Sequence, residues 1–451
     1  MAISYGKQIT FSAFLLQDII DPSDELVRLA HIVDWERVHD RLRPYYSTIG
    51  RQALPIRLMV GLHLLKHKEG LSDAQVAVRI RGDFYWMYFC GVDPESLIGV
   101  YHQLDSSSMT KFRHRIGEKG FLEVQGVIRE YLLEKRNIDP RMMTTDSACL
   151  EKRIYYPTDS NLLYRGRRNL LRGIKKLQEL GVKRVKNLRS FVRRSRQVVI
   201  TMAKLGKDRM DRIKKATLEL AKQASHVANK SKKMLSNLKR AIRNGTVSNL
   251  GKAKRLAGQL KRQIEIVKAV IRQARARFRG KHLPEKIYSL HEPDVVCIRK
   301  NKTDRPNEYG MKFNLSVDKH GFIVSHESIS GSTHDAKLLD PAVKRWEEVT
   351  GQTPNQVNGD RGYHQSRRKP LSRRLQRVGK ICIPTTGKKK HPDCNRAWFK
   401  NGQRLRAHIE GTIGHLKARG KCRYKGRSGS KIHLAINATA WNLGKLSRVY
   451  L

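Results

Sequence analysis

The chain has 451 residues, 39% of them hydrophobic, with 92 Lys plus Arg against 40 Asp plus Glu and a formal net charge of +52. The hydrophobic share excludes a disordered basic tail, and no run of 18 apolar residues supports a membrane span. The six cysteines are widely separated and form no CxxC pair, which argues against a disulfide framework or zinc ribbon and for free thiols in a reducing compartment.

So large an excess of cations points to a polyanionic partner, foremost nucleic acid, with an anionic membrane surface or a ribosomal role as alternatives. The N-terminal stretch MAISYGKQITFSAFLLQDII has one Lys and a short apolar run interrupted by Asp18, a poor signal peptide. Residues 1 to about 135 read as mostly helical. Leu58, Leu62 and Leu65 fall on one helical face behind Pro55. KEGL is a turn, and Ser72 with Gln75 forms a capping box for the next helix. Phe84–Gly91 (FYWMYFCG) is dense in aromatics and reads as core, and Ser108–Arg115 opens a basic helix. A helix-turn-helix and a bundle that packs or dimerises both fit this region.

From 140 to 160, RMMTTDSACLEKRIYYPTDS reads as a strand followed by a second strand or a turn. Residues 161 to about 280 form a block with 36 Lys plus Arg against five acids, an excess of +31. Two long helices are expected there, one with Ile213, Leu220, Ala224 and Val227 on its apolar side, the other with Ile264, Val267 and Ile271. Gly245 and Gly251 are expected to separate them. Antiparallel helices crossing a phosphate backbone fit this pattern, as does a solvated basic hairpin.

Beyond 285 the strand pattern returns at Asp294–Ile298, Tyr309–Val317 and Gly321–Ser325, the last two as a hairpin turning at Asp318–Gly321. THDAKLLDPAVKRWEEV reads as helix, Gln356–Asp360 and Ile381–Pro384 as strands. RAWFKNGQRLRAHIEGTIGHLKARG reads as helix interrupted at Gly411 and Gly414, and a final helix is expected from His433 to Leu446. The sum is an α/β core carrying a basic helical insertion.

Phosphoryl transfer on nucleic acid needs acids that hold divalent metal beside the scissile phosphate. Three acids stand out: Asp146 in the first strand, Asp360 at the end of a short apolar strand, and Glu410 on the late helix. Arg406 lies four positions before Glu410 and Lys417 seven after it, both near its helix face. Taken singly, each acid also reads as a surface carboxylate paired with the plentiful Lys and Arg.

These segments resemble the DDE transposases of bacterial insertion sequences, specifically the IS5/IS4-like superfamily, over nearly the whole chain. LPIRLMVGLHLLKHKEGLSDAQVAVRIRGDFYWMYFCG is similar to the family's N-terminal helical domain, and TTDSACLEKRIYYPTDSNLL to the block of its first catalytic aspartate. RPNEYGMKFNLSVDKHGFIVSHESISGSTHDAKLL resembles the next core block, VNGDRGYHQ that of the second aspartate, and RLRAHIEGTIGHLKARG the glutamate block. The resemblance assigns catalysis and metal binding to Asp146, Asp360 and Glu410. It makes Arg361, Arg406 and Lys417 candidates for contacting phosphate. The family's late Tyr, Arg, Glu, Lys signature is matched at its last three positions, with Gln403 in place of the Tyr.

The resemblance further implies an α/β fold with a ribonuclease-H-like catalytic core. The expected layout is a helical domain at 1–135 for DNA binding or dimerisation, core at 136–160, the basic insertion at 161–280, and the remaining core and C-terminal helices at 281–451. The implied reaction is Mg²⁺-dependent (with Mn²⁺ as a substitute) cleavage at a transposon end and transfer of the 3′ hydroxyl to target DNA. A DNA nuclease without strand transfer and a catalytically inactive DNA-binding regulator are the alternatives. The implied partners are double-stranded transposon-end and target DNA and a second copy in a homodimeric synaptic complex, without a membrane. The implied location is the cytoplasm and nucleoid of a bacterium. Asp159 and Glu308 are weaker candidates for metal. Asp335 is expected to start or cap a helix, and His334 to cap locally or meet DNA. Cys382, His391 and Cys394 lack the spacing of a zinc site.

Overall fold

A computed structural model describes residues 16–47, 49, 53–99, 101–102, 104–203, 208–281, 283–300, 307–365, 370–386 and 390–449; the signal-peptide reading of residues 1–15 lies outside them. Two compact units result, one of Met1–Glu151 with Met311–Leu451, the other of Lys152–Gly310.

In the first unit, acids start the N-terminal helices. Asp24, Asp34, Asp83, Asp93 and Asp105 cap α1 (Glu25–Ile32), α2 (Trp35–Leu42), α5 (Phe84–Cys90), α6 (Pro94–Ile98) and α7 (Ser106–Glu134), each replacing a missing acceptor for an orphan N–H. Between them, α3 (Ile56–Glu69) ends on Gly70 in the left-handed conformation, and α4 (Asp73–Arg79) begins with the reciprocal Ser72–Gln75 capping box. Leu58, Leu62 and Leu65 are buried, and so are eleven of the fourteen α3 residues, more than the one face read from sequence. Trp86, Met87, Phe89 and Cys90 are core, as the aromatic density implies.

The same hydrophobic core extends to Val324 and Val357 of the sheet and to Trp346 of a helix beside it. The strands are β1 (Met142–Glu151), β3 (Asn307–Val317), β4 (Ile323–Ser328), β5 (Gln356–Asn358) and β6 (Lys380–Cys382); β3 begins four residues before the unit does. Their order is β4-β3-β1-β5-β6, with β3 and β4 antiparallel and β1, β5 and β6 mutually parallel. Helices α12 (Leu339–Thr350), α13 (Arg373–Arg377), α14 (Ala397–Ala418) and α15 (Gly426–Val449) complete the unit, a mixed α/β architecture with a central sheet and flanking helices.

Two expectations are corrected here. Helix α14 runs unbroken through Gly411 and Gly414, because Ile409, Ile413 and Leu416 are buried and this packing outweighs the roughly 1 kcal/mol penalty of each glycine. The final helix starts at Gly426 rather than His433.

The second unit is a helical bundle of α8 (Asp159–Gln178), α9 (Val192–Ala203), α10 (Arg209–Arg243) and α11 (Leu250–Arg277), and among the described residues no second strand stands between β1 and α8. A short β2 (Val296–Arg299) pairs antiparallel with Asn307–Gly310. Leu220, Ala224 and Val227 of α10 meet Ile264, Val267 and Ile271 of α11, together with Leu163, Leu170 and Ile174 of α8. Gly166 and Gly173 let α8 approach so closely that a Cβ would lie 2.7 Å from Val267 and 2.9 Å from Leu260. Gly245, at φ +66°, does end α10, but Gly251 lies inside α11, whose start is set by Asn249 accepting from Lys252 N–H. Asp159 is buried at the start of α8, held by Gln273 at 2.6 Å and ion-paired with Arg277 at 3.5 Å, which accounts for it structurally. No helix among the described residues is long and apolar enough to cross a membrane. All six cysteines are free thiols.

Candidate active site

Strand register brings two of the predicted acids together. In the parallel β1–β5 pair, Met142 faces Gln356, Met143 faces Val357 and Thr144 faces Asn358. The Thr144–Asn358 rung is closed by Asn358 Nδ2 donating to Thr144 Oγ1 at 3.0 Å, an offset of 214 residues. The same offset carries Asp146 to Asp360. Asp146 lies inside β1 on the face of Thr144, and Asp360 lies two residues past the last paired residue of β5. Asp360 also caps the 3₁₀ turn Arg361–Tyr363, accepting from Gly362 N–H at 2.9 Å. Asp146 accepts from Ser147 N–H at 2.7 Å.

Burial, and after it the charge of Asp360, push the Asp146 carboxyl up to about 7; Ser147 N–H and Arg406 oppose the rise, and Asp335 adds to it. Asp360 is likewise raised, by burial and then by Asp335, against Gly362 N–H and Arg406. Two carboxylates that resist joint ionisation suit a bound dication, and their oxygens are the donor type that Mg²⁺ or Mn²⁺ takes.

The third predicted acid stands differently. The side chain of Glu410 is 58% exposed and ion-pairs with Arg406 at 2.9 Å. Arg406 in turn acts on both aspartates, so Glu410 is linked to the pair through this cation. The helix is held in place one turn earlier. A Cβ at Gly402 would lie 2.5 Å from Asn358 Oδ1 and 2.6 Å from Cys382 Sγ, so only glycine allows α14 to press on β5 and β6. Gln403, which replaces the expected Tyr, donates to Cys382 O at 3.0 Å and Gly359 O at 3.3 Å and so ties α14 to the residue before Asp360. Lys417 is half-buried in the last turn of α14, and Arg361 is exposed.

Sequence reasoning missed Asp335. It does begin a 3₁₀ turn, capped by His334 accepting from Ala336 N–H. Its carboxylate, however, accepts from Ser147 Oγ at 2.7 Å and from the nearly buried Lys312 Nζ at 2.6 Å. A Cβ on Gly362 would lie 3.1 Å from an oxygen of both Asp335 and Asp360. The signal was an acid in the THDAKLL segment beside the hairpin, but its long-range partners are not local in sequence. Below the acids, Tyr363 is fully buried, with its hydroxyl donating to Asn314 Oδ1. Burial and the three aspartates push that phenol far above its ordinary range.

Among the described residues, no group of three or more His, Cys, Asp and Glu is gathered closely enough to hold a metal. His391 instead stacks on Phe399, and Cys382 donates to Phe399 O.

Two regions of the chain match known protein families. Residues 14–115 match a transposase domain (DUF772), and residues 289–443 match the transposase DDE domain, a span that holds Asp335, Asp360 and Glu410. The uncharacterized protein ORF8 in the nfe locus of Rhizobium meliloti is 37% identical over 166 residues, 36% of this chain and 78% of that protein. No solved structure matches. The two domain matches make the protein a DNA-processing enzyme of the nuclease and recombinase class. The chain belongs to the DDE transposases.

Proposed function

We propose that this protein cleaves transposon-end DNA and transfers the resulting 3′ hydroxyl to target DNA by Mg²⁺-dependent phosphoryl transfer, with Mn²⁺ as a substitute. The observation that carries the reading is the Asp146–Asp360 pair, each two residues beyond the last β1–β5 rung, half-buried and repelling in a chain of net charge +52. The strand order β4-β3-β1-β5-β6, with a parallel β1–β5 pair at its centre, supports a ribonuclease-H-like core.

Asp146 and Asp360 would hold the divalent metal, with Glu410 completing the set. When bound, such a cation supplies charge neutralisation at the phosphoryl group. The protein does the rest by positioning. Ser147 N–H and Gly362 N–H fix the aspartate oxygens. Arg406 steers Glu410 and offers a guanidinium to phosphate, with Lys417 and Arg361 as further phosphate contacts. Lys312 and Ser147 hold Asp335 against the pair. The cations of residues 161–280 would bind DNA backbone without reading bases. The N-terminal helices at 1–135 would bind DNA or dimerise, ahead of core at 136–160 and 281–451. Two ends joined in one event call for a homodimeric synaptic complex, working on the bacterial nucleoid.

The test is incubation of the full chain with paired terminal DNA ends and labelled target, in Mg²⁺ or chelator, comparing wild type with D146N, D360N and E410Q. Metal-dependent joined product, lost in all three variants, is the expected result. Cleavage without joining would make the protein a nuclease, and tight binding with neither reaction would make it a DNA-binding regulator.

A further inference from the structure

The second unit carries a groove lined by three of its DNA-backbone cations. It has a volume of about 570 Å³ and lies between the N-terminal half of α8 and the helix α9. Arg165, Arg168 and Arg172 line it from α8, and Asn161, His291 and Tyr155 complete its polar rim. The three arginines recur at helical spacing along about 10 Å of α8. Among the described residues, no Asp or Glu lines the groove.

Its aromatic edge is unusual for a surface. Tyr155, at its rim, is 68% exposed. The Arg165 guanidinium lies 3.6 Å from the centre of the Tyr155 ring, with its Nε donating to Asn161 Oδ1 at 3.0 Å, so the tyrosine is braced on one side and open on the other. Arg168 lies 5.6 Å from the Tyr164 ring within the same groove.

We infer that this groove binds a short unpaired stretch of a nucleic-acid strand, its phosphates against Arg165, Arg168 and Arg172 and a base stacked on Tyr155. Arginines alone would suit the backbone of a duplex equally well. The exposed ring decides between the two, because the bases of an intact duplex are stacked on one another, whereas an unpaired base has a free face for an aromatic side chain. The inference rests on the reading that this protein works on DNA ends, where strands fray or are cut unevenly.

The experiment is fluorescence anisotropy of the full chain in chelator, so that no chemistry occurs, with two labelled duplexes that differ by a three-nucleotide single-stranded overhang. Wild type is expected to bind the overhanging duplex about 10-fold more tightly, within the range that one stacked base provides. Y155A removes that preference while leaving flush-duplex binding unchanged, and Y155F retains it. R168A combined with R172A weakens both duplexes and flattens the salt dependence. Equal binding of the two duplexes by wild type, or a preference that survives Y155A, overturns the inference. Joining of DNA ends without any overhang preference sinks the groove alone. An overhang preference without joining sinks the transposase reading and leaves the groove standing.

Discussion

Replacing Asp146 with Asn should stabilise the metal-free protein, and increasingly so as pH rises. The folded carboxyl sits at about 7, above the ordinary 3.8. The folded state therefore holds the proton more tightly than the unfolded chain, and stability falls as pH climbs from the unfolded value through the folded one. At 1.36 kcal/mol per pKa unit, the cost to wild type grows from about 1.5 kcal/mol at pH 5 to about 4 kcal/mol at pH 8. Asn is nearly isosteric and has no charge to desolvate, so the variant should gain about 2–3 kcal/mol relative to wild type between these pH values. For a unit this size that is a relative rise in melting temperature of about 5 °C. The assay is a pair of thermal melts, each protein at pH 5 and pH 8 in chelator. A wild-type stability that runs parallel to that of D146N across the range would refute the argument, since the aspartate pair would then be solvated and not poised for a dication.

Further outcomes follow from contacts around the pair. G402A places a methyl group against Asn358 and Cys382 and should cost about 1–3 kcal/mol by overpacking, read in denaturant melts; a wild-type midpoint would mean α14 is not pressed on β5. Q403L leaves Gly359 O and Cys382 O without their side-chain donor and should cost about 1–3 kcal/mol, with a loss of joining larger than the stability loss explains. D335L strands the nearly buried Lys312 and should cost about 3–5 kcal/mol, whereas D335L with K312M recovers most of it; an unrecovered double variant would point to a role for Asp335 other than pairing. G362A crowds two carboxylates at once and should weaken Mn²⁺ binding in calorimetry with little change in melting.

Asp146 and Asp360 could be picked out as candidates because an acid inside an apolar strand and an acid just after one are local signals. Their meeting could not, since it depends on a pairing register between segments 214 residues apart. Asp335 escaped for the same reason: its local role as the start of a 3₁₀ turn is true and complete in sequence terms, while its contacts to Ser147 and Lys312 exist only in the folded sheet. Glycines misled in both directions. Gly411 and Gly414 read as a break and are exposed positions in a helix that packing carries across them. Gly402 gave no signal at all, yet its missing side chain sets the distance between α14 and the strands. Gln403 read as a lost aromatic and proves to be a clamp.

The rung between Thr144 and Asn358 has a consequence for how such a chain tolerates change. Because pairing across the sheet sets the spacing of Asp146 and Asp360, the length of polypeptide between them is free, and a whole helical unit fits there. The freedom ends abruptly at the strands. Loss of one residue between Thr144 and Asp146, or between Asn358 and Asp360, would turn one carboxylate to the opposite face of the sheet. Large insertions in the intervening stretch should therefore be survivable, and single-residue deletions at these two places should not.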